Sequence, residues 1–310
     1  MSVAERVNDP VCVVVNASAH SEGAAEVASD LKKHFEAAGM QVRIELARSG
    51  SEIVERITAA IQRKPKMIVV GGGDGTLNAA ATLLIGSGIA LGILPLGTLN
   101  HFAKDLGVPL EIDKAVATLA AGCCAQVDVG AVNDQFFLNN SSLGIYPSLV
   151  KKRELQQQWL GRGKWPAFAL ASLAVLRRYP FVEVLLEVDG KSLPRRTPFV
   201  FVGNNRYVME GLRIGERARL DEGELSLHVA NRTGRLGLVR LALRALFGHL
   251  NQSADFDTIY AKQVEVKTRR ARVHVSTDGE IHVMETPLRY SIMPAALKVV
   301  VPRPESPASK

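Results

Sequence analysis

The 310-residue sequence predicts a doubly wound α/β domain followed by a mainly β, antiparallel sandwich-like domain. Length alone exceeds the usual size of one domain. In the first 125 residues, short β-branched runs alternate with helical patterns, which predicts parallel strands joined by crossover helices. From Gln126 onward the texture changes to dense period-two alternation, which predicts antiparallel strands with one buried face.

Taken in order, Val11 to Val15 reads as a strand, Ala24 to Ala38 as a helix, Gln41 to Leu46 as a strand and Ser51 to Arg63 as a helix. Met67 to Val70 and Ala90 to Leu94 continue the strands, with a helix after Thr76. In the second half, the segments Phe181 to Val188, Phe199 to Val202, Leu225 to Val229, Val264 to Lys267, Arg272 to Val275 and Leu297 to Val301 alternate. Helical patterns at Lys164 to Arg178 and Arg235 to Leu250 interrupt them. The boundary is expected between Ala121 and Asp128, and the Pro- and Ser-rich end, Pro302 to Lys310, reads as a tail.

Hydrophobic residues at 47% and charged residues at 22% match a globular chain and argue against extended disorder. The longest uncharged apolar stretch, Ala167 to Leu176, is half the roughly 20 residues that a spanning helix needs. Met1 to Pro10 carries Glu5, Arg6 and Asp9 and lacks the apolar run of a secretion signal, so a cytoplasmic location is expected. Cys12, Cys123 and Cys124 have no metal-type spacing and read as buried reduced thiols. A net charge of +7 favours an anionic partner. The basic runs lack the aromatic interleaving of a nucleic-acid module, so no nucleic acid is expected.

Two turns carry chemistry. Met67 to Val70 leads into Gly71-Gly72-Gly73-Asp74-Gly75-Thr76 and then a helical segment from Leu77. Glycines at such a turn let backbone N–H groups approach a phosphate, and the helix N-terminus favours negative charge. The pattern lacks the Gly-Lys-Ser/Thr of a Walker loop, and Thr76 stands where a dinucleotide fingerprint has its last glycine. Leu94-Pro95-Leu96-Gly97-Thr98-Leu99-Asn100 forms a second strand-end turn. Ligands of doubly wound sheets sit beyond the carboxyl ends of the strands, so both turns are candidates for one crevice. Taken alone, the second reads more readily as an ordinary Pro-Gly turn before a helix capped by Thr98.

These segments, with Phe137 to Gly144, Asp221-Glu222-Gly223-Glu224-Leu225 and Thr277-Asp278-Gly279-Glu280, resemble the diacylglycerol kinase catalytic family. That family includes bacterial diacylglycerol and other lipid kinases and, more distantly, sphingosine and ceramide kinases. The resemblance spans nearly the whole chain. It implies an ATP- and Mg²⁺-dependent lipid kinase that transfers the γ-phosphoryl group of ATP to a lipid hydroxyl, with diacylglycerol, yielding phosphatidic acid, the leading substrate. Residues 1–126 would form the nucleotide-binding domain and 127–287 the lipid substrate domain, with 288–302 able to pack back onto the first. Nucleotide contacts are implied for Asn16, Ser18, Gly71, Gly72, Gly73, Asp74, Gly75, Thr76, Leu77 and Thr98. The first loop reads Asn16-Ala17-Ser18-Ala19-His20 where the family usually has Asn-Pro-x-Ser-Gly.

Asp278 and Glu280 are the acid–base candidates, because transfer to an alcohol needs a carboxylate that takes the hydroxyl proton. The sequence does not choose between them, and Asp-Gly is also the commonest hairpin signal. Asp221, Glu222 and Glu224 are candidate Mg²⁺ ligands or else a solvated acidic loop; the resemblance implies a structural magnesium site at the acidic residue before the glycine, with nearby backbone carbonyls, and Glu222 stands there where Asp is usual. Arg240 and Arg244 on the Arg235 to Leu250 helix, and Lys151-Lys152-Arg153 with Trp159 and Trp165, suggest transient contact with the inner face of a membrane, or else ordinary packing and a solvated loop. A homodimer is also allowed. An NAD kinase-like enzyme would need an Asn-Glu pair for the nicotinamide ribose, which is not found. A regulator that binds nucleotide or lipid without turnover is the other alternative.

Overall fold

The computed structural model describes residues 10–18, 24–144, 181–210, 213–230 and 256–303. The two helical patterns expected at 164–178 and 235–250, with the basic and tryptophan-bearing run from Lys151 to Trp165, lie outside the described residues. The chain divides into two compact units, 1–129 with 294–310, and 130–293.

Unit 1 is built on strands β1 (Val11–Asn16), β2 (Val42–Ala47), β3 (Met67–Gly72) and β4 (Ala90–Pro95). They lie in the order β2-β1-β3-β4, all parallel. The helices α1 (Ala24–Ala37), α2 (Gly50–Gln62) and α3 (Asp74–Leu84) connect them, and α4 (His101–Asp105) and α5 (Ile112–Ala121) follow β4. β3 and β4 are buried along their whole length, as continuous apolar runs covered on both faces should be. Helix α2 starts where Ser49 accepts the Glu52 N–H and Glu52 accepts the Arg48 N–H, a reciprocal cap that fixes its first turn. The strand order reverses between β1 and β3, and a crevice opens at such a switch point beyond the carboxyl ends of the strands.

The strand β5 (Cys123–Val132) leads into unit 2 and pairs there with β6 (Gln135–Phe137). β7 (Asn140–Gly144), β8 (Val182–Val188), β9 (Lys191–Thr197), β10 (Phe199–Asn204), β11 (Tyr207–Glu210), β12 (Arg213–Arg217) and β13 (Leu225–Ala230) follow, then β14 (Phe256–Ala261), β15 (Gln263–Thr268), β16 (Arg272–Thr277), β17 (Glu280–Glu285) and β18 (Leu288–Val301). Six of these form an antiparallel sheet in the order β14-β13-β10-β7-β16-β17. Its inward residues Leu143, Val200, Val202, Leu227 and Val275 share one core with Val184 and Leu186 of β8, Val264 and Val266 of β15, and Leu288 and Tyr290 of β18. Two sheets therefore close over a single apolar layer, a sandwich. Among the described residues no helix is long and apolar enough to cross a membrane.

Two elements depart from the sequence reading. β9 (KSLPRRT) carries a proline and three basic residues and does not read as a strand, yet it pairs with β8 along its length at the sheet edge, where a missing N–H is tolerated. β18 extends nine residues further upstream than the alternation at Leu297 suggests, because Pro294 and the left-handed Ala295 interrupt the pattern without ending the strand. Its first part pairs with β15 in unit 2, and Val299 pairs with Leu91 of β4 in unit 1.

Candidate active site

In unit 1 the two turns meet. Gly73 precedes α3 with extended backbone and no side chain on the cap, and the first intrahelical bond runs from Leu77 N–H to the Gly73 carbonyl at 3.0 Å. The N–H groups of the first turn before Leu77 therefore have no intrahelical acceptor, the arrangement that suits a phosphate. From the second turn, Gly97 approaches so closely that a Cβ there would stand 2.3 Å from the Gly73 Cα. Only hydrogen fits between the backbones.

Side chains hold this approach. Asn100, buried and left-handed at φ 51°, accepts the Gly97 N–H at 3.0 Å and donates to the Gly97 and Pro95 carbonyls at 2.7 and 3.2 Å. Asp74 accepts the Phe102 N–H at 3.1 Å, which joins the glycine loop to the start of α4. Asn16, at the end of β1, donates to the Thr76 hydroxyl at 2.8 Å and accepts the Ser18 N–H at 3.0 Å. Gly75 and Thr98 are exposed beside this frame. Gly71 and Gly72 are buried in β3 and paired with Leu94 and Pro95, so they support the loop from within the sheet. Leu77 is turned away: its side chain is fully buried and its N–H is taken by Gly73, so Thr76 is the last residue of the turn whose N–H has no intrahelical acceptor.

In unit 2 the Asp278-Gly279 pair is the two-residue turn of the β16–β17 hairpin, with Thr277 opposite Glu280. Both turn residues have positive φ, 48° and 90°, as a type I′ turn requires. The hairpin signal and the candidate acid thus coincide. The Asp278 carboxylate accepts Leu138 N–H at 2.7 Å on one oxygen, and Asn139 and Asn140 N–H at 2.8 and 3.0 Å on the other. Burial pushes its pKa up to about 6, against the opposing pull of those three N–H groups and of Arg217. At neutral pH it remains ionised, with one lone pair uncommitted to these bonds. Glu280 differs: its side chain is 62% exposed and its nearest ionic neighbour is His282, with Nε2 at 4.0 Å.

The acidic loop distributes its charges. Asp221 is held by both arms of Arg219 at 2.9 and 3.0 Å, which keeps its carboxyl below the usual range. Glu224 pairs with the Arg206 guanidinium, and Glu222 accepts the Arg206 N–H at 3.0 Å. Arg219 takes one carboxylate and Arg206 the other two, by different groups, and among the described residues no three His, Cys, Asp or Glu side chains gather round one point. As arranged, Asp221, Glu222 and Glu224 do not fit a shared magnesium ion, whose ligands must converge within about 2.1 Å.

The order and chemistry of these segments match known proteins. Residues 10–132 match the family model of the diacylglycerol kinase catalytic domain, and residues 148–301 that of the YegS C-terminal NAD kinase beta sandwich-like domain. A diacylglycerol kinase of Mycobacterium tuberculosis (strain ATCC 25618 / H37Rv) is 31% identical over 255 residues, 80% of this chain and 80% of that protein. The chain belongs to the diacylglycerol kinase family. As a member of it, the protein is a lipid kinase, and ATP is the substrate that the kinase family implies. A protein named probable lipid kinase YegS-like, from Klebsiella pneumoniae (strain 342), is 27% identical over 275 residues, covering 87% of this chain and 89% of its own. The fold is that of a solved diacylglycerol kinase from Bacillus anthracis strain Sterne, with a TM-score of 0.69 at 20% identity over 98% of this chain and 99% of that one.

Arg217, Asn100 and Asn139 hold the site residues in place and carry no role in the sequence reading. Asn100 and Asn139 fall inside quoted segments, but nothing local marks their side chains as braces. Arg217 sits in an unremarkable Arg-Ala-Arg-Leu run.

Proposed function

We propose that this lipid kinase phosphorylates diacylglycerol to phosphatidic acid, with Glu280 as the proton acceptor and Asp278 as the anchor that fixes the turn. The observation that carries the reading is the contrast between the two carboxylates. Asp278 is half-buried and its carboxylate takes three backbone N–H groups, whereas the Glu280 side chain, two residues on, is exposed and makes no hydrogen bond among the described residues. A base must reach the proton it removes, so the accessible carboxylate suits that role.

The lipid hydroxyl oxygen attacks the γ-phosphorus of ATP, the bond from that phosphorus to the β–γ bridging oxygen breaks, and ADP leaves. The hydroxyl proton passes to Glu280. The N–H groups of Asp74, Gly75 and Thr76, with Thr98, hold the nucleotide phosphates, while Asn16 and Ser18 shape the loop beside them. Mg²⁺ enters as the partner of ATP and offsets phosphate charge. Contact with the inner face of a membrane follows from the substrate.

The test is labelled ATP with Mg²⁺ and a panel of detergent-dispersed lipid alcohols. Diacylglycerol is expected to take the label from the wild type, and Glu280→Gln to be slower by about 10²- to 10⁴-fold with unchanged melting. Preferred labelling of another lipid alcohol would replace the substrate, and full activity of the variant would remove Glu280 from the role. ATP binding with no labelled lipid would favour a regulator.

A further inference from the structure

Residues 138–140, which run from the end of β6 into the first residue of β7, have their backbone polar groups divided between an anion and a cation. The Asp278 carboxylate takes the N–H groups of Leu138, Asn139 and Asn140. The carbonyl side faces Arg217, the last residue of β12, only 8% exposed. Its guanidinium donates through Nη1 to the Leu138 carbonyl at 2.7 Å and the Asn204 carbonyl at 3.1 Å, and through Nη2 to Asn139 Oδ1 at 2.9 Å. Its carbon lies 5.1 Å from the centre of the Tyr207 ring, which covers it. Asn204 completes the frame, donating to the Leu138 carbonyl at 2.9 Å, and its N–H reaches the Asn139 carbonyl at 2.9 Å. The Asp278 N–H returns to the Asn140 carbonyl at 2.9 Å, so the turn that presents Glu280 is tied to this segment at both main chain and side chain.

We propose that Arg217 is a positioning residue for phosphoryl transfer, acting through residues 138–140 and Asp278 to fix the direction of Glu280. The inference rests on the proposed roles of Asp278 and Glu280. A buried guanidinium bound to at least three acceptors is held in one orientation, since a planar fork leaves little freedom once two arms are engaged. It is also the countercharge that acts on the enclosed carboxylate. The run from β6 to β7 brings no charged side chain, only the neutral Asn139 and Asn140 beside Asp278, and the charged or titratable side chains beyond Asp278 on its own hairpin are Arg272, His274, Glu280, His282 and Glu285. Without Arg217, Asp278 takes up a proton more readily, and a protonated carboxyl accepts the three N–H groups poorly. Burial favours the neutral carboxyl, so the fold is not weakened as pH falls, but the turn loses the charge-assisted bonds that aim Glu280.

The experiment measures kcat, and KM for ATP and for dispersed lipid, from pH 5.5 to 9 in the wild type, Arg217→Met, Arg217→Lys and Glu280→Gln. Arg217→Met should lose kcat at pH 7 by about 10- to 100-fold, the scale of a 1 Å misplacement, with both KM values within about twofold. Its loss should shrink as pH rises, because the acid limb of the profile has moved upward. Arg217→Lys keeps the charge without the fork, so its acid limb should stay near that of the wild type while kcat falls several-fold. A loss in Arg217→Met that is uniform across pH or falls on KM overturns the proposal. If that variant does not fold, wild-type kcat in Arg217→Lys, or an acid limb shifted in it, does the same. Full activity of Glu280→Gln would instead bring down the underlying reading, whereas an inactive Glu280→Gln beside Arg217 variants with wild-type kcat removes Arg217 alone.

Discussion

Replacing Gly97 by Ala tests whether the approach of the two turns in unit 1 matters for ATP. The added Cβ would lie 2.3 Å from the Gly73 Cα and 2.8 Å from Asn100 Oδ1, against the 3.4 Å at which ordinary contact begins. The backbones must part by about 1 Å, and the obstacle is main chain on one side and a braced side chain on the other. Asn100 cannot withdraw without giving up its bonds to Gly97 and Pro95. Overpacking of this kind costs about 1–3 kcal/mol, and a lost buried hydrogen bond costs about as much again. Misplacing phosphate donors by 1 Å lowers kcat/KM for ATP by about 10²-fold. Gly50→Ala is the control, since a Cβ at the first residue of α2 meets nothing within 4 Å. Initial rates over a range of ATP, with thermal melts of both variants, give the answer. Gly97→Ala should lose most of its kcat/KM for ATP and melt lower, with Gly50→Ala matching the wild type in rate. Wild-type kcat/KM in Gly97→Ala would refute the reasoning.

The pH dependence of stability gives two further predictions of opposite sign. His228 is fully buried, and burial lowers its pKa from 6.5 to about 4, so its contribution is complete above pH 6.5 and fades as pH falls through 4. His228→Phe should therefore gain on the wild type by about 3 kcal/mol between pH 7 and 4 in urea melts, and parallel curves would exclude this role. Asp278 is raised from 3.8 to about 6, so its contribution is complete below pH 3.8 and is lost as pH rises through 6. Asp278→Asn should accordingly lose ground to the wild type by about 3 kcal/mol on acidification from pH 7 to 4, checked by the same melts, with an unchanged difference as the contrary result.

The sequence by itself determined the succession of parallel and antiparallel units, because period and β-branching are local properties of a chain. It also determined the glycine turns, since Gly71 to Gly75 after an apolar strand leaves few other conformations, and the Asp278-Gly279 hairpin, whose turn type follows from two adjacent residues that tolerate positive φ. The family's motif order carried the lipid kinase reading. Tertiary structure alone decided what those residues do. Asp278 and Glu280 are alike in sequence, and only the arrival of residues 138–140 from about 140 positions away encloses one carboxylate and leaves the other in water. Arg217, Asn100 and Asn139 were illegible for the same reason: a brace is defined by the distant backbone groups it meets. The acidic run Asp221 to Glu224 suggests a cation, yet Arg206 and Arg219 meet its charges. Hydrogen-bond partners depend on where strands lie in space, and a pattern read along the chain holds no record of that.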